Sequence, residues 1–501
     1  MGFGFVVKLT LMTQLKCIDL PSFWLVLERD AGALKVAQIL SRTLAETTQR
    51  HGRVQVERRT VMRDRLALII RHVRLRIKSP ASICVLTFLP LFALCCTAQD
   101  ESPLVAPSSA VSFQSSGSQS FGSLNPENQR PGLLDLWKNP VTHWLTERRI
   151  RAYGWVDGGF TYSSAGHGLL SIADGHAGTA PTPNRFGNEF LLNGAWFVVD
   201  RLPSKENWDW GFRGDFYAGS DASLLYPLNG FGVHDPHFAT DYRQVYFSFH
   251  APVLSKGGVD VQLGRQNMPL GYETLMGPYR PLYSQTYYWI YFQVAATAAT
   301  ATWHATDRLD VLGGVVLNYN TIFKLRGRAP AYIAKGTYSF GRDRNTTLTG
   351  AVYTGPQPVP IASGHLGSWQ TVVESHLSHN WSSRITQVIL VNGSWDENDP
   401  AAYRKNSRTY GANTTMTFHW NRQLDLNTRG EWFRDERGVR TGRAGTFSEA
   451  TVGVTIMPTR RINIRPEIRG DFSSVNAYGR VGGGSHKPNE LSAAVDFIFK
   501  F

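Results

Sequence analysis

The last twelve residues, Glu490 to Phe501, are the stretch that most restricts what this chain can fold into. In an extended strand, successive side chains point to opposite faces. One face carries Leu491, Ala493, Val495, Phe497, Phe499 and Phe501, and the other includes Glu490, Ser492, Asp496 and Lys500. The alternative is the last strand of a soluble β-sandwich, but an exposed edge strand this apolar would favour aggregation. The pattern favours the closing strand of a membrane-spanning β-barrel, in which lipid covers the apolar face and the lumen the polar one.

The same alternation recurs along the chain from Ile150 onward. In Ile462–Asp471, four ionisable residues share one face of a strand, and they need water or one another. We count sixteen candidate strands, centred near residues 156, 194, 213, 246, 262, 298, 313, 335, 350, 372, 389, 413, 430, 452, 467 and 496. The predicted fold is therefore all-β, an antiparallel transmembrane barrel of about sixteen strands, within a range of 14–18.

The connections between these strands alternate in length. Short ones, such as Ala305–Arg308 and Asn421–Gln423, are followed by long ones, such as Ala222–Thr240 and Asn267–Gln293. Short turns on one side and long loops on the other are typical of an outer-membrane barrel, with the turns in the periplasm. An even strand count places both ends of the barrel on the periplasmic side.

The formal charge of +13 at first suggests a nucleic-acid partner, but the charge is unevenly spread. Residues 1–98 hold 15 Lys+Arg and 6 Asp+Glu, a surplus of nine, whereas the remainder holds 37 and 33, a surplus of four. The basic excess belongs mostly to the leader, so we expect no nucleic-acid partner.

The leader itself has the parts of an export signal. A basic segment, Arg63–Lys78, precedes an apolar run of 14 residues, Ile83–Cys96, and Cys96-Thr97-Ala98 predicts cleavage after Ala98. A lipoprotein site at Cys95 or Cys96 is the alternative. We therefore expect a signal peptide over residues 62–98, and an upstream extension over residues 1–61 that resembles neither a signal nor a domain.

Residues 99–149 read as a flexible periplasmic linker, because Ser, Gly, Pro and Asn dominate their first part. A short helix is possible within Leu133–Leu145, where Pro140 limits its length. All four cysteines lie before Ala98, so the predicted mature protein has no disulfide framework and no cysteine metal site. The barrel then occupies residues 150–501.

Several short motifs, in this order along the chain, resemble the OmpL-like β-barrel porin family of Gram-negative outer membranes. They are Gly211-Phe212-Arg213-Gly214-Asp215 with Gly219-Ser220-Asp221, Gly264-Arg265 with Pro269-Leu270-Gly271-Tyr272-Glu273, Tyr283-Ser284, Glu431-Trp432-Phe433-Arg434-Asp435 with Gly438, and Arg465-Pro466-Glu467-Ile468-Arg469-Gly470-Asp471. The resemblance covers roughly Ile150 to Phe501. It implies an outer-membrane porin, and it implies no catalytic residue.

Two groups of candidate site residues follow. On the lumen wall we expect Arg213, Asp215, Arg429, Glu431, Arg465, Glu467, Arg469 and Asp471, either selecting ions or pairing to brace the barrel. In the third long loop, stiff prolines and large aromatic rings predict a segment folded into the lumen, with Pro269, Gly271, Tyr272, Glu273, Arg280 and Tyr283 at the constriction. An external loop packed on its neighbours is the alternative. Arg213 and Arg469 are expected to face Glu273 and Arg280.

The leading functional hypothesis is a passive channel for small hydrophilic solutes. A structural or adhesive barrel with a plugged lumen is the alternative. An enzyme such as a lipid hydrolase is not expected, although barrel hydrolases need none of the G-x-S-x-G, H-E-x-x-H or glycine-rich phosphate motifs that this sequence lacks. His234-Asp235-Pro236-His237 gives an incomplete zinc site, so we predict no metal and no cofactor.

The expected partners follow from this hypothesis. They are outer-membrane lipid, the barrel assembly machinery, which would use Phe501 as its signal, the permeating solutes, and two further copies of the chain in a homotrimer.

Overall fold

The computed structural model describes residues 6–7, 25–26, 140–172, 185–224, 232–292, 295–317, 322–323, 329–356, 369–399, 405–480 and 485–501. The chain divides into two units, Met1–Leu89 and Pro90–Phe501. In the first unit, Val6–Val7 pairs antiparallel with Leu25–Val26. Apart from these four residues, the expected upstream extension and signal peptide lie outside the described residues, as does the linker up to residue 139.

Sixteen strands of the second unit form one closed antiparallel barrel. They are β1 Ile150–Ser163, β2 Glu189–Arg201, β3 Asp209–Gly219, β4 Ala239–Ala251, β5 Val259–Asn267, β6 Ala295–His304, β7 Leu309–Val316, β8 Ala331–Phe340, β9 Thr346–Pro356, β10 Trp369–Ser382, β11 Ile385–Asp399, β12 Lys405–Asn421, β13 Leu424–Asp435, β14 Gly445–Thr459, β15 Ile462–Ser473 and β16 Asn489–Lys500. Each predicted strand centre falls in one of these strands, so the predicted fold class and strand number are confirmed.

The barrel closes where β16 pairs antiparallel with β1, from Ser492 opposite Ser163 to Lys500 opposite Trp155. Beyond the last strand residue, the Phe501 N–H donates to the Gly154 carbonyl and the Gly154 N–H donates to the Phe501 carbonyl, both at 2.9 Å. A Cβ at Gly154 would lie 2.8 Å from the Phe501 ring. The C-terminal residue thus extends the closing pair of strands and packs on a site that only glycine leaves open.

The two faces of the sheet differ in the way that the alternation predicts. Outward-facing tryptophans lie near strand ends and form two groups, as expected for the aromatic girdles of a membrane barrel. The group at the short turns comprises Trp210, Trp303, Trp381 and Trp420, and the group at the long loops comprises Trp369, Trp395 and Trp432, each at least 39% exposed. Polar and charged side chains are buried on the inward face.

The remaining elements are short. The described part of the chain contains three helices: α1 Pro140–Glu147 precedes β1, α2 Ser220–Leu224 follows β3, and α3 Tyr287–Phe292 precedes β6. Helix α1 begins at the proline that the sequence places within the linker, a position at which proline is well tolerated. Among the helices of the described residues, none is both long enough and apolar enough to cross a bilayer.

Two 3-10 turns and a small three-stranded sheet complete the described elements. The turns are Gly277–Tyr279 and Arg342–Arg344, and the sheet joins Gly168–Ile172, Phe186–Gly187 and Tyr478–Arg480 from the connections after β1 and β15.

Candidate functional site

The long connection between β5 and β6 lies inside the barrel, and we call its described part, residues 268–292, the inner loop. It includes helix α3 and the 3-10 turn, and most of its large side chains are buried. The same loop contacts inward-facing residues of strands far apart in the barrel, from Asn193 on β2 to Glu374 on β10 and Glu467 on β15. A segment can reach all of these positions only by crossing the interior.

Three glutamates on the inner wall bind backbone N–H groups of the inner loop. The Gly271 N–H donates to Glu374 at 2.6 Å, the Tyr283 and Ser284 N–H groups donate to Glu467 at 2.8 and 3.0 Å, and the Tyr287 and Tyr288 N–H groups donate to Glu431 at 2.5 and 3.0 Å. A carboxyl group has two oxygens and can accept from neighbouring N–H groups at the same time. These residues therefore fix the loop at three places around the wall.

Three wall arginines bind carbonyl groups of the same loop. Arg465 Nη1 donates to the carbonyls of Gly277 at 2.8 Å, Arg280 at 2.7 Å and Leu282 at 3.3 Å, while Arg429 Nη1 donates to Ser284 at 2.7 Å and Arg469 Nη1 donates to Gln285 at 2.6 Å. Loop backbone that would otherwise be buried without partners is thus satisfied by the wall.

The same arginines also pair with acidic wall residues. Arg213 on β3, beyond the β16–β1 pair that closes the barrel, does so as well. The pairs are Arg213 with Asp215 at 2.7 Å, Arg429 with Glu449 at 2.6 Å, Arg465 with Asp496 at 2.9 Å and Arg469 with Asp471 at 2.7 Å. A buried guanidinium group needs such a partner, because desolvation is costly. This geometry supports the bracing role for the arginines, three of which also hold the loop together with Glu431 and Glu467.

The side chains of the inner loop add further contacts. Glu273 accepts from Arg429 Nη1 at 3.2 Å and from the Thr286 N–H at 3.0 Å, which joins the two halves of the loop. The Tyr272 hydroxyl contacts the Thr415 hydroxyl, and the Tyr283 hydroxyl donates to Asn193 at 2.9 Å. Burial raises the pKa of the Tyr283 hydroxyl well above its usual range, so this group stays a donor.

Two other predicted loop residues act through the backbone. Pro269 is buried at the start of the loop, and Gly271 has a φ of 70°, in the left-handed region that favours glycine. This conformation accompanies the N–H contact of Gly271 with Glu374. A side chain at residue 271 would strain the turn that makes this contact.

The expected facing of charges is only partly seen in the geometry. Arg469 lies against the inner loop at Gln285, and Arg213 lies between Asp215 and Asp200, with Asp200 at 3.9 Å. The Arg280 guanidinium has its nearest acidic oxygen on Asp157, at 3.8 Å. The structure therefore brings Glu273 to Arg429 and Arg280 to Asp157.

Sequence reasoning missed an apolar part of the inner wall. One cluster of buried residues joins the inner loop to strands β6–β11, and it includes Met268, Leu270, Leu275, Met276 and Trp289 from the loop with Ala298, Leu312, Val316, Ile333, Tyr353, Val372, Val388 and Leu390 from the wall. The inner loop is therefore held both by apolar burial against β6–β11 and by hydrogen bonds to charged wall residues, including Glu374 on β10 and Glu467 on β15. Glu374 and Asp496 were also missed as site residues, although Asp496 lies on the polar face of the C-terminal strand.

The described residues contain no group of three or more His, Cys, Asp or Glu side chains arranged to hold a metal ion. His237 of the expected incomplete zinc site instead contacts Glu189, at 3.1 Å from its Nε2 atom.

Comparison with solved structures gives likenesses at low identity. The anion-selective porin from Comamonas acidovorans and the outer membrane channel DcaP of Acinetobacter baumannii each have a TM-score of 0.47 and 10% identity, and the likeness covers 70% of this chain and 99% and 97% of those chains. For Pseudomonas putida OprB the TM-score is 0.45 at 11% identity, covering 72% of this chain and 96% of that one. A comparison with curated proteins gave no match.

The family comparison is more informative, because the solved structures share only 10–11% identity with this chain. The model of the family described as "Putative beta-barrel porin-2, OmpL-like" matches residues 149–501. This match spans the strands, the inner loop and the wall residues that hold it, and it confirms the resemblance inferred from the motifs. The chain belongs to the OmpL-like β-barrel porin family and is a porin of the Gram-negative outer membrane.

Proposed function

We propose that this porin lets small hydrophilic solutes and ions diffuse through a water-filled lumen that the inner loop narrows. The observation that carries the proposal is the attachment of the loop across the interior. Glu374, Glu431 and Glu467 accept from its backbone N–H groups, and wall arginines donate to its carbonyl groups. A loop fixed inside the barrel reduces the cross-section open to solutes and defines which of them can pass.

The lining favours polar solutes over apolar ones. Strands β13–β16 carry alternating basic and acidic side chains on their inward faces, including Arg465 and Asp496. Arg465 and Asp496 are themselves buried and bind each other, so in this proposal they make the wall polar and keep the lumen hydrated without binding the solute directly. We include in the proposal that passage requires no chemical step, so the protein is not an enzyme.

The proposed surroundings follow from the membrane location. Outer-membrane lipid covers the tryptophan girdles and the apolar face between them. The barrel assembly machinery inserts the chain after residues 1–98 have been removed, and it recognises the terminal strand that ends in Phe501. A homotrimer is the proposed oligomeric state.

Deletion of Thr274–Gln285, replaced by a Gly–Ser turn, tests the role of the inner loop. Removing this segment should raise the rate of liposome swelling and admit larger sugars than the wild-type protein does. Replacement of Arg437–Arg443, in the connection between β13 and β14, is the matched control and should leave the size limit unchanged. If the deletion variant folds and its size limit equals that of the wild type, the loop does not define the aperture.

A further inference from the structure

Arg280 belongs to the inner loop itself, and its contacts differ from those of the wall arginines that bind this loop. Its Nε, Nη1 and Nη2 atoms all lack a hydrogen-bond partner in the described part of the chain, although its side chain is only 2% exposed. Its Nη2 atom lies 3.8 Å from Asp157 Oδ2, and the Tyr283 ring lies 5.9 Å from its Cζ atom. A buried guanidinium group with five unused N–H donors is costly unless something polar meets it.

Asp157 is poorly placed to satisfy Arg280. Its Oδ1 atom accepts from Asn193 Nδ2 at 3.0 Å. Its Oδ2 atom is crowded by the inner loop, because a Cβ on Gly277 would lie 2.4 Å away. The planar fork of a guanidinium group binds a carboxylate best through two parallel hydrogen bonds, and at 3.8 Å from Oδ2, Arg280 makes neither of them with Asp157.

Helix α2 lies close to Asn193, since a Cβ on Gly219, the residue before the helix, would clash with the Asn193 carbonyl. Asn193 in turn binds Asp157, so α2 brings a second set of unpartnered polar atoms near the acidic neighbour of Arg280. Asp221 Oδ1, Ser220 Oγ and Arg185 Nε are buried without a hydrogen-bond partner among the described residues. Arg185 is held in place by donation from Nη2 to the carbonyls of Ser220 at 3.3 Å and Pro236 at 2.5 Å. Burial raises the pKa of Asp221 to about 6, and Arg280 is the first of the charges that oppose this increase, followed by Arg185.

The charges of this region define which ligand it fits. Arg280 and Arg185 are offset by Asp157 and Asp221, so a bare anion gains little from it. A solute that carries a carboxylate and a hydrogen-bond donor side by side can use both halves of the site. The carboxylate then accepts from the Arg280 fork, and the donor reaches Asp221.

We propose that Arg280 and Asp221 form a binding subsite in the lumen for small organic acids with a hydroxyl or ammonium group beside the carboxylate. The inference rests on the proposed channel function and names a class of solute for it. Hydroxy acids and amino acids share this chemistry, and the two are separated by experiment.

The test is block of the ionic current through the reconstituted full mature protein, in roughly 0.1 M KCl so that screening stays moderate. Lactate and glycine are the two probes, propionate has the carboxylate without the donor, and glycerol has the donors without the carboxylate. Lactate or glycine should block at a concentration roughly tenfold lower than propionate, and glycerol should not block. Equal half-blocking concentrations for lactate, glycine and propionate would overturn the proposal.

Three variants locate the effect. Arg280→Gln should raise the half-blocking concentration of the better probe roughly tenfold or more, and Asp221→Asn should abolish the difference between that probe and propionate. Arg151→Gln is the matched control, because it also removes one positive charge, but Arg151 already pairs with Asp200 at 2.7 Å. Block that is unchanged in Arg280→Gln contradicts the assignment.

Two further measurements keep the outcomes separable. Arg280→Lys retains the positive charge but not the planar fork, so its half-blocking concentration should lie between those of the wild type and Arg280→Gln. This variant still tests the subsite if Arg280→Gln fails to fold. Equilibrium dialysis of labelled lactate and glycine with the detergent-solubilised barrel measures binding without any conductance. If the barrel does not conduct but binds a probe in a way that depends on Arg280, the subsite is supported and the channel function is not. If the barrel conducts but neither binds the probes nor is blocked by them, the channel function stands and the subsite is refuted.

Discussion

Glu467 gives the sharpest test of how the wall holds the inner loop. Its carboxylate on β15 accepts from the N–H groups of Tyr283 and Ser284, at 2.8 and 3.0 Å. The methyl side chain of alanine has no acceptor that could replace it. The Glu467→Ala variant therefore removes two charge-assisted contacts while leaving the strand and its outward face unchanged.

The size of the effect follows from the contacts. A hydrogen bond to a charged group contributes about 1.5–3 kcal/mol, so two of them contribute about 3–6 kcal/mol as an upper bound. Neighbouring contacts remain, because Asn427 Nδ2 and the Thr455 hydroxyl both donate to the Pro281 carbonyl at 3.0 Å. A loss of about 3 kcal/mol raises the population in which this part of the loop is detached by roughly a hundredfold.

Single-channel recording detects this change. The Glu467→Ala channel should show a higher mean conductance and frequent transitions between levels, whereas Glu467→Gln should show a smaller effect because the amide retains one acceptor oxygen. Glu436→Ala is the control: it removes the same charge at an exposed position in the connection after β13. The folded fraction of every variant is compared on semi-native gels.

If Glu467→Ala folds as well as Glu436→Ala and both give the conductance and noise of the wild type, Glu467 does not hold the loop in place.

Three further predictions concern other parts of the chain. Deleting Phe501 should lower the heat-modifiable folded fraction in outer membranes, because the pair with Gly154 is lost, and an unchanged yield would count against this. N-terminal sequencing of outer-membrane material should begin at or near Gln99, and a start upstream of Met62 would refute cleavage after Ala98. Because burial raises the pKa of Asp221 to about 6, the folded state holds this proton more tightly than the unfolded state does. Stability should therefore fall as pH rises from about 4 to 6, a slope that the melting midpoint of Asp221→Asn should lose.

The barrel could be predicted from sequence because the membrane and the lumen impose opposite demands on alternate residues. In β15, for example, Arg465, Glu467, Arg469 and Asp471 all face inward, as their spacing indicates. Strand number followed from counting the segments with alternating side chains, and the alternation of short and long connections indicated the two sides of the barrel. The inward course of the inner loop is indicated in the sequence only by its prolines and aromatic rings.

The partners inside the lumen could not be predicted, because they join residues distant in the chain. Nothing in the local sequence pairs Glu431 with the N–H groups of Tyr287 and Tyr288, 144 and 143 residues away. The apolar wall of β6–β11 was missed for a different reason. Strands with apolar residues on both faces, such as β7, lose the alternation that separates inside from outside.

Conductance of the purified mature barrel in planar bilayers is the most direct test of a lumen that is open and narrowed by the inner loop. The structure leads us to expect discrete steps with a linear current–voltage relation, and larger steps after deletion of Thr274–Gln285. Folded barrels that insert without conducting, with or without this segment, would contradict the proposed channel and favour a plugged lumen.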